Sequence, residues 1–72
     1  MTGADVKAVG RYGMTPLHWA AQTGLVALIP AFVEEGADIE ARNADTDTPL
    51  ELAVANHEAA CEAKLRELGA TK

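Results

Sequence analysis

The side chains of this 72-residue chain that could do chemistry are two histidines, one cysteine and eleven acids. His57 and Cys61 are four apart, so on a helix both would face one metal ion. That pair lacks a third ligand, because His18 lies far back in the chain. The reading with more support puts His57 and Glu58 at a helix start and packs Cys61 as a small hydrophobe. His18 has the residue type of a general base, since histidine as a side chain titrates near neutrality. Asp45 and Asp47, with Asp38 and Glu40 nearby, form an acidic loop. Its spacing lacks the glycine and the distal glutamate of a calcium loop, so it reads as solvated surface. A glycine-rich phosphate loop and a serine–histidine–acid set are both missing from the sequence. No catalytic residue, metal or cofactor is assigned, and enzymatic activity is not expected.

Composition narrows the classes further. The chain is 49% hydrophobic and 24% charged, which suits a globular domain rather than a disordered one. Eleven acids against six bases leave a net charge of −5, the wrong sign for a nucleic-acid or anionic-membrane surface. The longest apolar run, Leu25 to Val33, is interrupted by Pro30 and falls well short of the ~20 residues of a membrane span. One cysteine excludes an internal disulfide framework. No basic-then-apolar leader opens the sequence. A small acidic intracellular domain, cytoplasmic by default, is the expectation.

The elements that position these residues recur. At an offset of 33 residues, Thr15-Pro16-Leu17 falls on Thr48-Pro49-Leu50 and Ala20 on Ala53. Gly3-Ala4-Asp5-Val6 likewise falls on Gly36-Ala37-Asp38-Ile39, and Gly36-Ala37 on Gly69-Ala70. A fixed period of this size marks a stacked-repeat protein. Thr15 before Pro16 is a helix start, with a capping oxygen and a proline that has no amide to orphan. Thr48-Pro49-Leu50-Glu51 adds the capping-box glutamate. These signals predict a short helix over Pro16–Gln22, broken by Thr23-Gly24, and its counterpart broken by Asn56-His57. Longer helices are predicted over Val26–Glu35 and Glu58–Leu68, ended by Gly36 and Gly69. Pro30 inside the first of these forces either a later start or a kink. The segments Asp5–Thr15 and Asp38–Thr48 suit extended hairpin fingers.

Thr15-Pro16-Leu17-His18-Trp19-Ala20-Ala21, closed by Gly24 and then by Gly36-Ala37-Asp38-Ile39, resembles the ankyrin repeat. The resemblance runs from Gly3 to Lys72. It implies an all-α repeat fold, an ankyrin-like solenoid of helix-turn-helix units with β-hairpin finger loops. Residues 1–72 then form one domain, with repeat one over 3–36 and a repeat two, resembling a C-terminal capping repeat, over 37–72. The second unit departs from the motif at Thr46 for Gly13, Glu51 for His18 and His57 for Gly24. In the family the histidine braces its own repeat turn, a structural role that the change to Glu51 supports. The family binds proteins, so a protein partner of unknown identity is implied. The matching partner-facing positions are Arg11, Tyr12 and Met14 on the first finger and Ala44, Asp45 and Asp47 on the second. Gln22, Thr23, Ala55 and Asn56 follow on the short helices. Tyr12, Arg11 and Met14 have the residue types that interfaces favour.

The two ends of the stack differ. Ile29, Ala31 and Val33 become Glu62, Lys64 and Arg66 in the second unit, the polar face of a terminal repeat. At the other end Trp19, Leu28 and Phe32 lack a covering neighbour, and Met1–Asp5 reads as the tail of a missing earlier repeat. Arrays of fewer than about three repeats are usually unstable alone. Additional N-terminal repeats, a homodimer stacked through the Trp19 face, or a covering partner are the three expectations. Residues 1–36 hold two bases and three acids, and residues 37–72 four bases and eight acids. A partner should therefore bring basic groups to the second finger and an apolar or acidic group to Arg11 and Tyr12.

Overall fold

The computed structural model describes residues 9–71. The Gly3–Val6 match, the start of the first finger and the reading of Met1–Asp5 as a repeat tail lie outside them. Four helices follow one another: α1 (Pro16–Thr23), α2 (Leu28–Glu34), α3 (Pro49–Ala55) and α4 (Ala59–Glu67). A single 3₁₀ turn at Arg11–Gly13 precedes them.

Both short helices start for the reason the sequence gives. Thr15 and Thr48 are extended, each hydroxyl accepts from the third amide of its helix, and Pro16 and Pro49 need no partner. The reciprocal half of each box comes from different chemistry. His18 accepts from the Thr15 amide through Nδ1 at 3.1 Å, and Glu51 accepts from the Thr48 amide through Oε1 at 2.8 Å.

α2 settles the question of Pro30. The helix begins at Leu28, two residues later than the pattern predicts, so Pro30 stands in its first turn. Amides there have no intrahelical acceptor, and proline costs no bond. Val26 and Ala27 instead form a turn, with the Leu28 and Ile29 amides on the Leu25 and Val26 carbonyls at 3.0 and 3.2 Å. α2 and α4 end alike. The Ala37 amide donates to Phe32 and the Ala70 amide to Leu65, across Gly36 and Gly69 at φ 106° and 112°.

The fingers are tighter than hairpins, and no strand forms among the described residues. Each is closed by equivalent bonds: Gly10 N–H to the Met14 carbonyl at 2.9 Å, and Asn43 N–H to the Asp47 carbonyl at 3.0 Å. One closing bond per finger leaves no ladder to extend. The chain stacks as two helical hairpins, α1 on α3 with α2 beside α4. Leu17, Ala20, Ala21, Ile29, Leu50, Ala53, Cys61 and Leu65 form the core between them. The alanines let the short helices approach closely, and burial of the branched side chains supplies most of the cohesion.

Candidate functional site

The two finger tips are held side by side. The Ala44 amide donates to the Tyr12 carbonyl at 2.9 Å, and Tyr12 itself is left-handed, with φ 62°. Gly13 follows at φ 69°, and a Cβ there would sit 2.7 Å from the Ala44 nitrogen. Glycine is required at that crossing both by its backbone and by the neighbouring finger. Around it Arg11, Ala44 and Asp45 are exposed, and Tyr12 is 66% exposed.

Met14 departs from its expected place. It is buried to 4% exposure beneath the second finger, where the Asn43 amide donates to its sulfur at 3.3 Å. A finger-tip contact from Met14 is excluded by that cover. Asp47 is half-buried, and its backbone is committed to Asn43 and to His18. On the short helices, Gln22 is half-buried while Thr23, Ala55 and Asn56 are exposed. The Thr23 hydroxyl donates to the Trp19 carbonyl, and the Asn56 side chain to the Leu52 carbonyl, so both polar groups also finish their helices.

Two residues outside the expected set organise this surface. Asn43, buried, accepts from the amides of Asp45 and Asp47 through one oxygen, both at 2.9 Å. An asparagine two residues before Asp45 is an Asx-turn signal, and it was readable as such. His18 is the other. Fully buried, it donates from Nε2 to the Asp47 carbonyl at 2.8 Å, and that acceptor fixes Nδ1 as the unprotonated nitrogen of the neutral ring. Nδ1 then takes the Thr15 amide and hydroxyl. The ring ties the first helix to the second finger, and every hydrogen-bonding position on it is used. A general base needs a free lone pair, and His18 offers none.

The end faces compare directly through the repeat. Trp19 is 42% exposed and its counterpart Leu52 is 8% exposed; Leu28 is 41% exposed and its counterpart Cys61 is fully buried. Phe32 is partly buried against the core, where its counterpart Leu65 is sealed. Positions covered by the first unit in the second are thus open in the first.

His57 precedes α4 in a left-handed conformation, so it does not share a helical face with Cys61. Burial pushes the Cys61 thiol up, and Glu58 pushes it further. Among the described residues no group of histidine, cysteine and acids could hold a metal. Lys64, bonded to Glu67 at 2.6 Å, holds that carboxyl below its ordinary value. No helix among the described residues is long and apolar enough to cross a membrane.

Paired helical hairpins with a finger before each are the build of a stacked-repeat solenoid, a class whose surface recognises other macromolecules. A family model described as ankyrin repeats in three copies matches residues 1–71, and the chain belongs to that family. It is 44% identical over 54 residues to ankyrin repeat and SOCS box protein 5 of Bos taurus, covering 75% of this chain and 16% of that protein. It is 39% identical over 54 residues to ankyrin repeat and IBR domain-containing protein 1 of Homo sapiens, covering 75% and 5%. Rabankyrin-5 of Mus musculus is 36% identical over 55 residues, covering 76% and 5%. The chain therefore spans a small fraction of the relatives it matches. Ankyrin repeats are in general protein–protein interaction modules, and the family is typically non-enzymatic.

Proposed function

We propose that the chain is a protein-interaction module, an adaptor or scaffold element that engages its partner through the paired finger tips and the adjoining ends of the short helices. The observation that carries this reading is the Ala44–Tyr12 backbone bond at 2.9 Å, with Gly13 at the crossing. It fixes Arg11, Tyr12, Ala44 and Asp45 as one surface before any partner arrives, so little ordering entropy is lost on binding. Tyr12 and Arg11 are the anchors, being of the types that dominate interfaces. Asp45 supplies negative charge for a basic group on the partner. A cytoplasmic location accords with the free, buried thiol of Cys61. The test is titration of a partner captured with this chain as bait against Tyr12→Ala and Asp45→Lys. Each change is expected to weaken binding about tenfold, or about 1.4 kcal/mol. Binding indifferent to both would sink the reading.

A second reading rests on the exposure of Trp19 and Leu28 where Leu52 and Cys61 are covered. That face is the seat of another repeat hairpin, contributed by a second copy of the chain.

A further inference from the structure

The outer side of the second unit carries a groove of about 310 Å³, lined by Leu50, Glu51, Val54, Ala55, Arg66 and Thr71. Clefts that accept ligands begin at about this size. The repeat shows what the groove corresponds to. Shifted back one period, its lining becomes Leu17, His18, Ala21, Gln22, Val33 and Asp38. On the first unit that ground is occupied: α1 packs on α3, and Leu17, His18 and Ala21 are all fully buried. The groove is the same seat on the second unit, with Val54 48% exposed where Ala21 is sealed.

Its chemistry has been reversed at two positions. His18 donates to a finger carbonyl, that of Asp47, at 2.8 Å. Glu51 in its place is an acceptor, so a further unit of the same geometry would bring a carbonyl against a carboxylate. Arg66 stands where Val33 is apolar, and it pairs with the half-buried Glu62 at 3.2 Å. Such a surface pair is weak and exchanges readily. Arg42 approaches Glu51 at 3.9 Å but spends its hydrogen bond on the Thr46 carbonyl at 2.8 Å.

We propose that this groove docks an amphipathic helix of a protein partner, whose apolar stripe covers Val54 and Ala55 above the buried Leu50 while a basic residue meets Glu51 and an acidic residue meets Arg66. The seat on the first unit supplies the packing template, and the charge pair supplies the selectivity against another repeat. Apart from Ala55 the site shares no residue with the finger-tip surface, so either can fail alone.

The test is an NMR titration of the ¹⁵N-labelled chain with two cross-linked helical peptides. Both carry one leucine stripe; the first is flanked by lysine at one end and glutamate at the other, the second by alanine at both. The first peptide is expected to shift Val54, Ala55, Arg66 and Thr71 and to bind about tenfold more tightly than the second. Glu51→Gln keeps the cap on Thr48 and should remove much of that difference. Val54→Asp, at an exposed position, should abolish binding with the fold intact. The proposal is overturned by equal affinity for the two peptides, by full binding to the Val54→Asp chain, or by shifts confined to Arg11, Tyr12, Ala44 and Asp45. Groove signals that move with protein concentration alone would overturn it too, by making a second copy the occupant.

Discussion

Thr46 and His57 are at φ 65° and 58°, the left-handed region that glycine enters freely and that residues with a Cβ enter at a cost of roughly 1–2 kcal/mol. The first unit has Gly13 and Gly24 at the same places, at φ 69° and 80°. Both finger and helix turn therefore keep their conformation through the substitution, and the second unit bears the strain. Asn43 offsets part of it by binding two amides of the finger, a contact that Gly10 in the first unit cannot make. Thr46→Gly and His57→Gly should each raise stability by about 0.5–1 kcal/mol, the relief of strain less the extra freedom of an unfolded glycine. Being in different loops they should add, and urea unfolding of both single variants and the double measures it. Destabilisation by either would mean that the threonine or histidine side chain makes a contact worth more than the strain. At this scale the sequence was informative about which positions depart from the repeat. It misplaced Met14 on the partner-facing surface, because its burial depends on Asn43 reaching across from the other finger.

Between elements, the cap of α1 is also the joint between the two units. The helix start was legible from Thr15-Pro16 and the capping box from Thr48-Pro49-Leu50-Glu51 because both are local, and so were four helices and the glycine ends of three of them. The late start of α2 was legible only as one of two outcomes, since Pro30 fits either a first turn or a kink until packing chooses. The Nε2 bond from His18 to Asp47 was not legible, because it joins residues 29 apart that only stacking brings together. His18→Glu separates the two roles. Glutamate still caps, as Glu51 does, but places a buried carboxylate against a carbonyl with no donor between them. A loss of about 2–4 kcal/mol is expected, a large part of the ~4–10 kcal/mol that a chain of this length commands. The converse change, Glu51→His, keeps a capping acceptor at an exposed site and should cost under about 1 kcal/mol. If thermal or urea unfolding finds the two substitutions equal, His18 caps its own helix and does nothing between units.

At the scale of the molecule the two outer faces of the described stack are unlike, and only one favours pairing with another copy. The outer side of the second unit presents Glu62 and Arg66 as a bonded pair, together with the charged groove. The outer side of the first presents Trp19 and Leu28, each about two-fifths exposed. Head-to-tail stacking would press Trp19 against that ion pair and is disfavoured, whereas two Trp19 faces meeting about a twofold axis bury apolar surface on both copies. A closed twofold pair also stops at two, so no filament follows. The difference between the ends was legible from Ile29, Ala31 and Val33 becoming Glu62, Lys64 and Arg66. How open the Trp19 face is depended on seeing its counterparts Leu52 and Cys61 covered. Light scattering across a wide dilution series should give a mass near twice 7.5 kDa at high concentration, falling toward one chain on dilution. Trp19 is the only tryptophan, so its emission should shift to the red over the same range. The melting temperature should rise with concentration, as mass action requires when folding and pairing are coupled. Trp19→Lys should abolish all three trends while leaving the dilute melting temperature close to that of the parent. A single-chain mass at every concentration, with constant emission, would remove the pairing and leave the finger tips and the groove as the surfaces through which this chain meets its partners.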